Sequence, residues 1–184
     1  MNKESQIFYR LVRDFLTIYL PRQKAASPNT IKSYKNALNL FLAYLKLEHQ
    51  MPLQEIGFER VKREHMENFL EWLEAEKKYS VSSRNQRLSG LKSFYKYAAG
   101  KDKTLMVYYQ DIQGIPKKKG PQDYEIELFR EETLQDILKE PEKDKKTGYR
   151  NLVLLILLYD TAARIQELLD LRLQDLNLEE GSAY

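Results

Sequence analysis

"YSVSSRNQRLSGLKSFYKYAAGK", residues Tyr79–Lys101, carries five basic residues and no acid. Apolar side chains recur at positions 81, 88, 91, 95 and 98, the period of a helix with one buried stripe, and Gly100 is expected to stop it. The other faces hold Ser82, Ser83, Arg84, Gln86, Arg87, Ser89, Lys92, Ser93 and Lys96. A helix fits the DNA major groove, its N-terminal amides favour phosphate, and Ser, Arg and Lys are common phosphate donors. Gly90 costs about 1 kcal/mol relative to alanine inside a helix. It therefore implies a close approach, most often by a neighbouring helix.

Working outward, the preceding segments repeat the helical period. Glu4–Leu20 places Ile7, Phe8, Leu11, Val12, Phe15, Ile18 and Tyr19 on one stripe, which Pro21 is expected to end. "SPNT", Ser27–Thr30, offers a cap and a helix-starting proline before a second helix running to about Leu47. That helix begins with Lys24, Asn29, Thr30, Lys32, Ser33 and Lys35 and meets no acid until Glu48. Two acid-free helix starts in one module point to DNA more strongly than either alone. A third helix is expected over about Lys62–Lys78, with Met66, Phe69, Leu70 and Leu73 inward. Four helices with short connections predict a compact bundle.

Charge divides the chain. Through Gly120 there are 22 Lys and Arg against 12 Asp and Glu; from Pro121 onward there are 8 against 15. The net +10 and −7 make up the formal +3 and suggest two modules, the first seeking a polyanion. Between them "IPKKKGPQ", Ile115–Gln122, reads as a linker. The expected organisation is a domain over 1–113, a linker over 114–124 and a second domain over 125–184. The chain has no cysteine and only two histidines, His49 and His65, so a thiolate or histidine metal cluster is not expected. The longest apolar run, Leu152–Tyr159, is too short to span a bilayer, which suits a cytoplasmic protein without membrane partners. The helix that carries it, Arg150–Tyr159, is apolar nearly all round, so it is expected to be buried against the bundle or another copy of the chain, or else to leave an exposed patch.

After it comes "YDTAARIQELLDL", Tyr159–Leu171, in which Arg164 stands among apolar residues with Glu167 three positions on to orient it. A guanidinium fork there suits bidentate phosphate binding. "LYDTAARIQELLDLRLQDLNLEEG" resembles the first arginine box of the tyrosine recombinases, the phage and transposon integrases. Thr161, Arg164, Ile165, Glu167, Leu168, Leu171, Asp175 and Leu176 match its usual form, whereas Ala162 replaces a glycine, Ala163 a leucine and Gln166 a serine. "SPNTIKSYKNALNLFLAYL" and "SVSSRNQRLSGLKSFYKYA" are similar to the second and fourth helices of that family's core-binding domain.

The resemblance implies a mainly α chain: a four-helix SAM-like core-binding bundle, a linker, then the first helices of a catalytic domain. It implies double-stranded DNA as partner, with other protomers forming a tetramer on it in the complete protein, and no cofactor. In the family a tyrosine attacks a phosphodiester to give a 3′-phosphotyrosine, while two arginines and a lysine stabilise the transition-state charge. Only Arg164, supported by Glu167, carries over from that set. The lysine, the His-x-x-Arg box and the nucleophile are expected beyond Tyr184, which is not itself the nucleophile. DNA contacts are expected from Lys24, Asn29, Thr30, Lys32, Ser33, Ser82, Ser83, Arg84, Arg87, Lys92 and Lys96. This chain should then bind DNA without cleaving it. The alternatives are a non-catalytic DNA-binding regulator derived from a recombinase, or a helical protein–protein module.

Overall fold

The computed structural model describes residues 3–120, 128–177 and 182–183. The end of the expected linker, residues 121–124, the opening of the expected second domain, 125–127, and Tyr184 lie outside the described residues. The chain divides into two compact units, Met1–Gln122 and Asp123–Tyr184, and is mainly helical as expected.

The first unit is a bundle of five α-helices: α1 (Lys3–Asp14), α2 (Pro28–Glu48), α3 (Arg63–Ala75), α4 (Val81–Lys101) and α5 (Met106–Gln113). Helix α4 is the central element, packing against α2, α3 and α5. That explains why Phe94 and Tyr95, which compete for one place in a single stripe, are both buried. The core is aromatic: the Phe8 ring lies 5.0 Å from Phe58 and 5.4 Å from Phe94, and Phe15 lies 5.7 Å from Phe94. Gly90 meets α2 closely, since a Cβ there would stand 3.3 Å from both Ala37 Cβ and Tyr34 Cδ1. Helix packing accounts for this glycine.

Three boundaries differ from expectation. Pro21 does not stop the first helix, which continues as π-type turns over Phe15–Gln23. Proline cannot donate and its ring clashes with the carbonyl four residues back in an α-helix. A wider turn moves that carbonyl away, and the Lys24 amide bonds to the Tyr19 carbonyl five residues back at 3.0 Å. Helix α3 ends at Ala75 rather than Lys78, because Lys78 takes φ 55° and turns the chain so that the Tyr79 amide bonds the Leu73 carbonyl. The residues after α5, expected as the opening of the linker, lie on the bundle, with Ile115 only 2% exposed.

The second unit contains α6 (Glu131–Lys139), α7 (Lys146–Thr161), α8 (Ile165–Asp170) and a two-residue antiparallel pairing of Leu176–Asn177 with Ser182–Ala183. Helix α7 was expected to be buried, yet Val153, Ile156, Leu157 and Tyr159 are exposed. Among the described residues of this unit, only α6 and α8 pack substantially on it, too little surface to cover a helix apolar on every side.

Candidate nucleic-acid interface

Both helices singled out for their basic starts are capped by serine. Ser27 accepts from the Thr30 amide at 3.2 Å and Ser80 from the Ser83 amide at 3.3 Å, each satisfying an otherwise orphaned donor. The two helix starts lie together. Asn29, Thr30, Ser33 and Tyr34 of α2 face Gln86 and Ser89 of α4 across an open groove. A second groove on the same helix pair is lined by Asn36, Asn39, Leu40 and Ala43 with Tyr79 and Arg87. Neither lining contains a carboxylate.

The candidate residues divide into two groups. Lys24, Asn29, Lys32, Ser82 and Lys96 are exposed, and Thr30, Ser33, Ser83 and Arg87 are half-buried. Arg87 lies with its guanidinium carbon 5.9 Å from the centre of the Tyr79 ring, a spacing suited to cation–π attraction. Arg84 and Lys92 are engaged inside the molecule. The Arg84 side chain is 12% exposed; its Nε stands 3.4 Å from Glu74 Oε1, and its Nη1 donates to the Pro116 carbonyl at 3.3 Å. Lys92 Nζ donates to the carbonyls of Gln113, at 2.9 Å, and Ile115. Burial, then the nearby charges of Lys117, Arg63 and Arg84, hold the Lys92 ammonium below the usual lysine range.

Asn85 was not singled out from the sequence. Its Nδ2 donates to the Lys118 carbonyl at 2.7 Å and its Oδ1 accepts from the Lys118 amide at 3.0 Å. Lys118 Nζ closes the arrangement on Glu74 Oε2 at 2.8 Å. No local pattern relates an asparagine to a backbone thirty-three residues away.

In the second unit, Arg164 stands just before α8. Glu167 accepts from its backbone amide at 2.8 Å and from its Nη1 at 2.9 Å, so one carboxylate fixes both the helix start and the guanidinium. Those hydrogen bonds, the backbone one foremost, lower the Glu167 pKa. The guanidinium is not enclosed as the apolar context suggested: the Arg164 side chain is 86% exposed. The turn before it is left-handed at Ala162, with φ 51° and ψ 22°. Thr161 Oγ1 accepts the Ala163 amide at 3.2 Å and steadies that turn. A phosphate oxygen could approach such a fork without displacing protein groups. Among the described residues no group of three or more His, Cys, Asp or Glu could hold a metal ion. No helix among them is long and apolar enough to cross a membrane.

Comparison with known proteins agrees with both halves of this description. Residues 13–102 match the phage integrase N-terminal SAM-like domain, and residues 127–184 match the phage integrase family. A tyrosine recombinase XerC of Staphylococcus saprophyticus is 31% identical over 156 residues, covering 85% of this chain and 49% of that protein. An integrase/recombinase of Sinorhizobium fredii is 29% identical over 172 residues, covering 94% of this chain and 52% of its own length. A Staphylococcus carnosus XerC is 30% identical over 169 residues, covering 91% of this chain and 53% of the relative. An all-helical basic bundle followed by an arginine held by a glutamate at i+3 thus finds its relatives among DNA recombinases. The chain belongs to the phage integrase family of tyrosine recombinases, and it spans about half the length of the curated relatives it matches.

Proposed function

We propose that the first unit is a DNA-clamping domain and that the second contributes the first arginine of a tyrosine-recombinase catalytic set. The reading rests chiefly on the acid-free surface where the starts of α2 and α4 meet. Its exposed lysines supply phosphate contacts, and its serines and asparagines are hydrogen-bonding groups of the kind that position a helix on a duplex. In the whole protein, cleavage and rejoining through a 3′-phosphotyrosine would draw on Arg164 to neutralise charge at the scissile phosphate, with Glu167 holding its fork. Partner protomers assembled on the DNA belong to the same proposal, a tetramer being the arrangement expected of the family.

The test is duplex binding as a function of salt. Each neutralised phosphate steepens the fall of log affinity with log salt by about 0.9. The expected result is binding at low salt with a slope of several units, and Arg164→Ala binding within about twofold of the parent, since the phosphate contacts are assigned to the first unit and Arg164 lies outside it. Failure to bind any duplex at low salt would overturn the clamp assignment. A large loss from Arg164→Ala alone would overturn the division of labour between the units.

A further inference from the structure

The segment Gln113–Lys118 is held on α4 by side chains at two places about two turns apart. Lys92 takes the carbonyls of Gln113 and Ile115, Arg84 that of Pro116, and Asn85 both backbone groups of Lys118. Ile115 is buried beneath it. This is a docked strap running antiparallel to α4, and it leads into three consecutive lysines, Lys117–Lys119. Their roles differ. Lys118 pairs with Glu74, whereas Lys117 and Lys119 are exposed and pair with no carboxylate among the described residues. Lys117 is near enough to Lys92 for the two charges to repel.

The angular layout of α4 places these lysines relative to the proposed DNA surface. At 100° per residue, and taking Asn85 as zero, Lys96, Ser89, Ser82, Ser93 and Gln86 follow at about 20°, 40°, 60°, 80° and 100°. Gly90, seated on α2, falls at about 140° on the same count. The polar strip of α4 therefore lies between α2 on one side and the strap on the other. The strap is the second wall of that strip.

We propose that Lys117 and Lys119 are phosphate contacts on the strap side of the α4 strip, and that Asn85 is the positioning residue that fixes them there. The inference rests on the DNA-clamp reading above. A lysine on a floppy tether binds phosphate with the full entropic cost of ordering the tether; docking removes that cost before DNA arrives.

The experiment uses the full chain and a duplex long enough to contain one site, with salt slopes measured for four proteins. Lys117→Ala/Lys119→Ala is expected to reduce the slope by about two, at about 0.9 per phosphate contact. Asn85→Ala is expected to weaken binding to a similar extent, and the triple variant to bind no worse than the double. Tryptic cleavage after Lys117 and Lys119 should be faster in Asn85→Ala while the thermal midpoint of the bundle stays near that of the parent. An unchanged slope in the double variant overturns the phosphate contacts. Additive losses in the triple variant, or unchanged trypsin cleavage in Asn85→Ala, overturn the positioning role. If the parent chain itself binds no duplex, it is the clamp reading that fails. Binding by the parent with an unaltered double variant is the failure of this inference alone.

Discussion

Ala162 carries a cost that its neighbours do not. An L-residue in the left-handed region crowds its Cβ against the following carbonyl, by roughly 1–2 kcal/mol. Ala162 occupies that region at φ 51° as it ends α7 and aims the chain into Arg164. Glycine has no such clash but orders a freer backbone, so part of the gain is returned. Ala162→Gly is expected to stabilise the second unit by up to about 1 kcal/mol. Hydrogen exchange of the α7 and α8 amides measures it, and faster exchange in the variant would show that the turn is not the strained point. Residue spacing did reveal the Arg164–Glu167 pair, because i and i+3 on a helix start meet whatever surrounds them. Exposure was not legible in the same way. An arginine among alanines and leucines reads as enclosed, but enclosure depends on which other elements reach it, and those lie far off in sequence.

Helices were legible where a single stripe of apolar residues runs unbroken, as in α2 and α3, and less so where chemistry at an end decides the boundary. Pro21 is a helix breaker by rule, and only the π-type widening over Phe15–Gln23 admits it. The start of α3 holds another device that spacing alone does not show. The Lys62 amide donates to His65 Nδ1 at 3.1 Å, and the His49 ring packs on His65 with centroids 4.7 Å apart. A ring nitrogen that accepts an N–H must be unprotonated. Burial, then the adjacent His49, hold the His65 pKa below its ordinary 6.5, with the Glu64 carboxylate pulling the other way. Because the folded ring takes up a proton less readily than the unfolded one, acidification favours the unfolded chain. The contribution is intact above about 6.5 and is lost as pH falls below it. Glutamine at this third helical position can still reach back to the capping amide without titrating. His65→Gln should therefore lose less thermal stability than the parent between about pH 7.5 and 5.5. Parallel losses in the two proteins would show that this cap does not sense pH.

At the scale of the whole molecule, stability is concentrated in the first unit, which holds every buried apolar side chain among the described residues except Leu168. The bundle was legible because its core positions repeat within each helix. The strap was not, because prolines, a glycine and a lysine run have the composition of a tether whether or not the chain beside them offers a seat. What distinguishes the two cases is Ile115, a single apolar residue that joins the buried core of the bundle. Truncating a buried isoleucine removes its transfer free energy and leaves a cavity, so Ile115→Ala is expected to cost about 2–4 kcal/mol. Val107 on α5, 60% exposed, provides the contrast: Val107→Ala should change stability by no more than about 0.5 kcal/mol. Chemical denaturation followed by the fluorescence of Trp72, the single tryptophan, reads both variants in the same unit. Equal, small effects would mean that the strap is a tether after all and that the bundle ends with α5. A large loss confined to Ile115→Ala would make the strap a part of the folded first unit, with its lysines held at the edge of the surface where α2 and α4 begin.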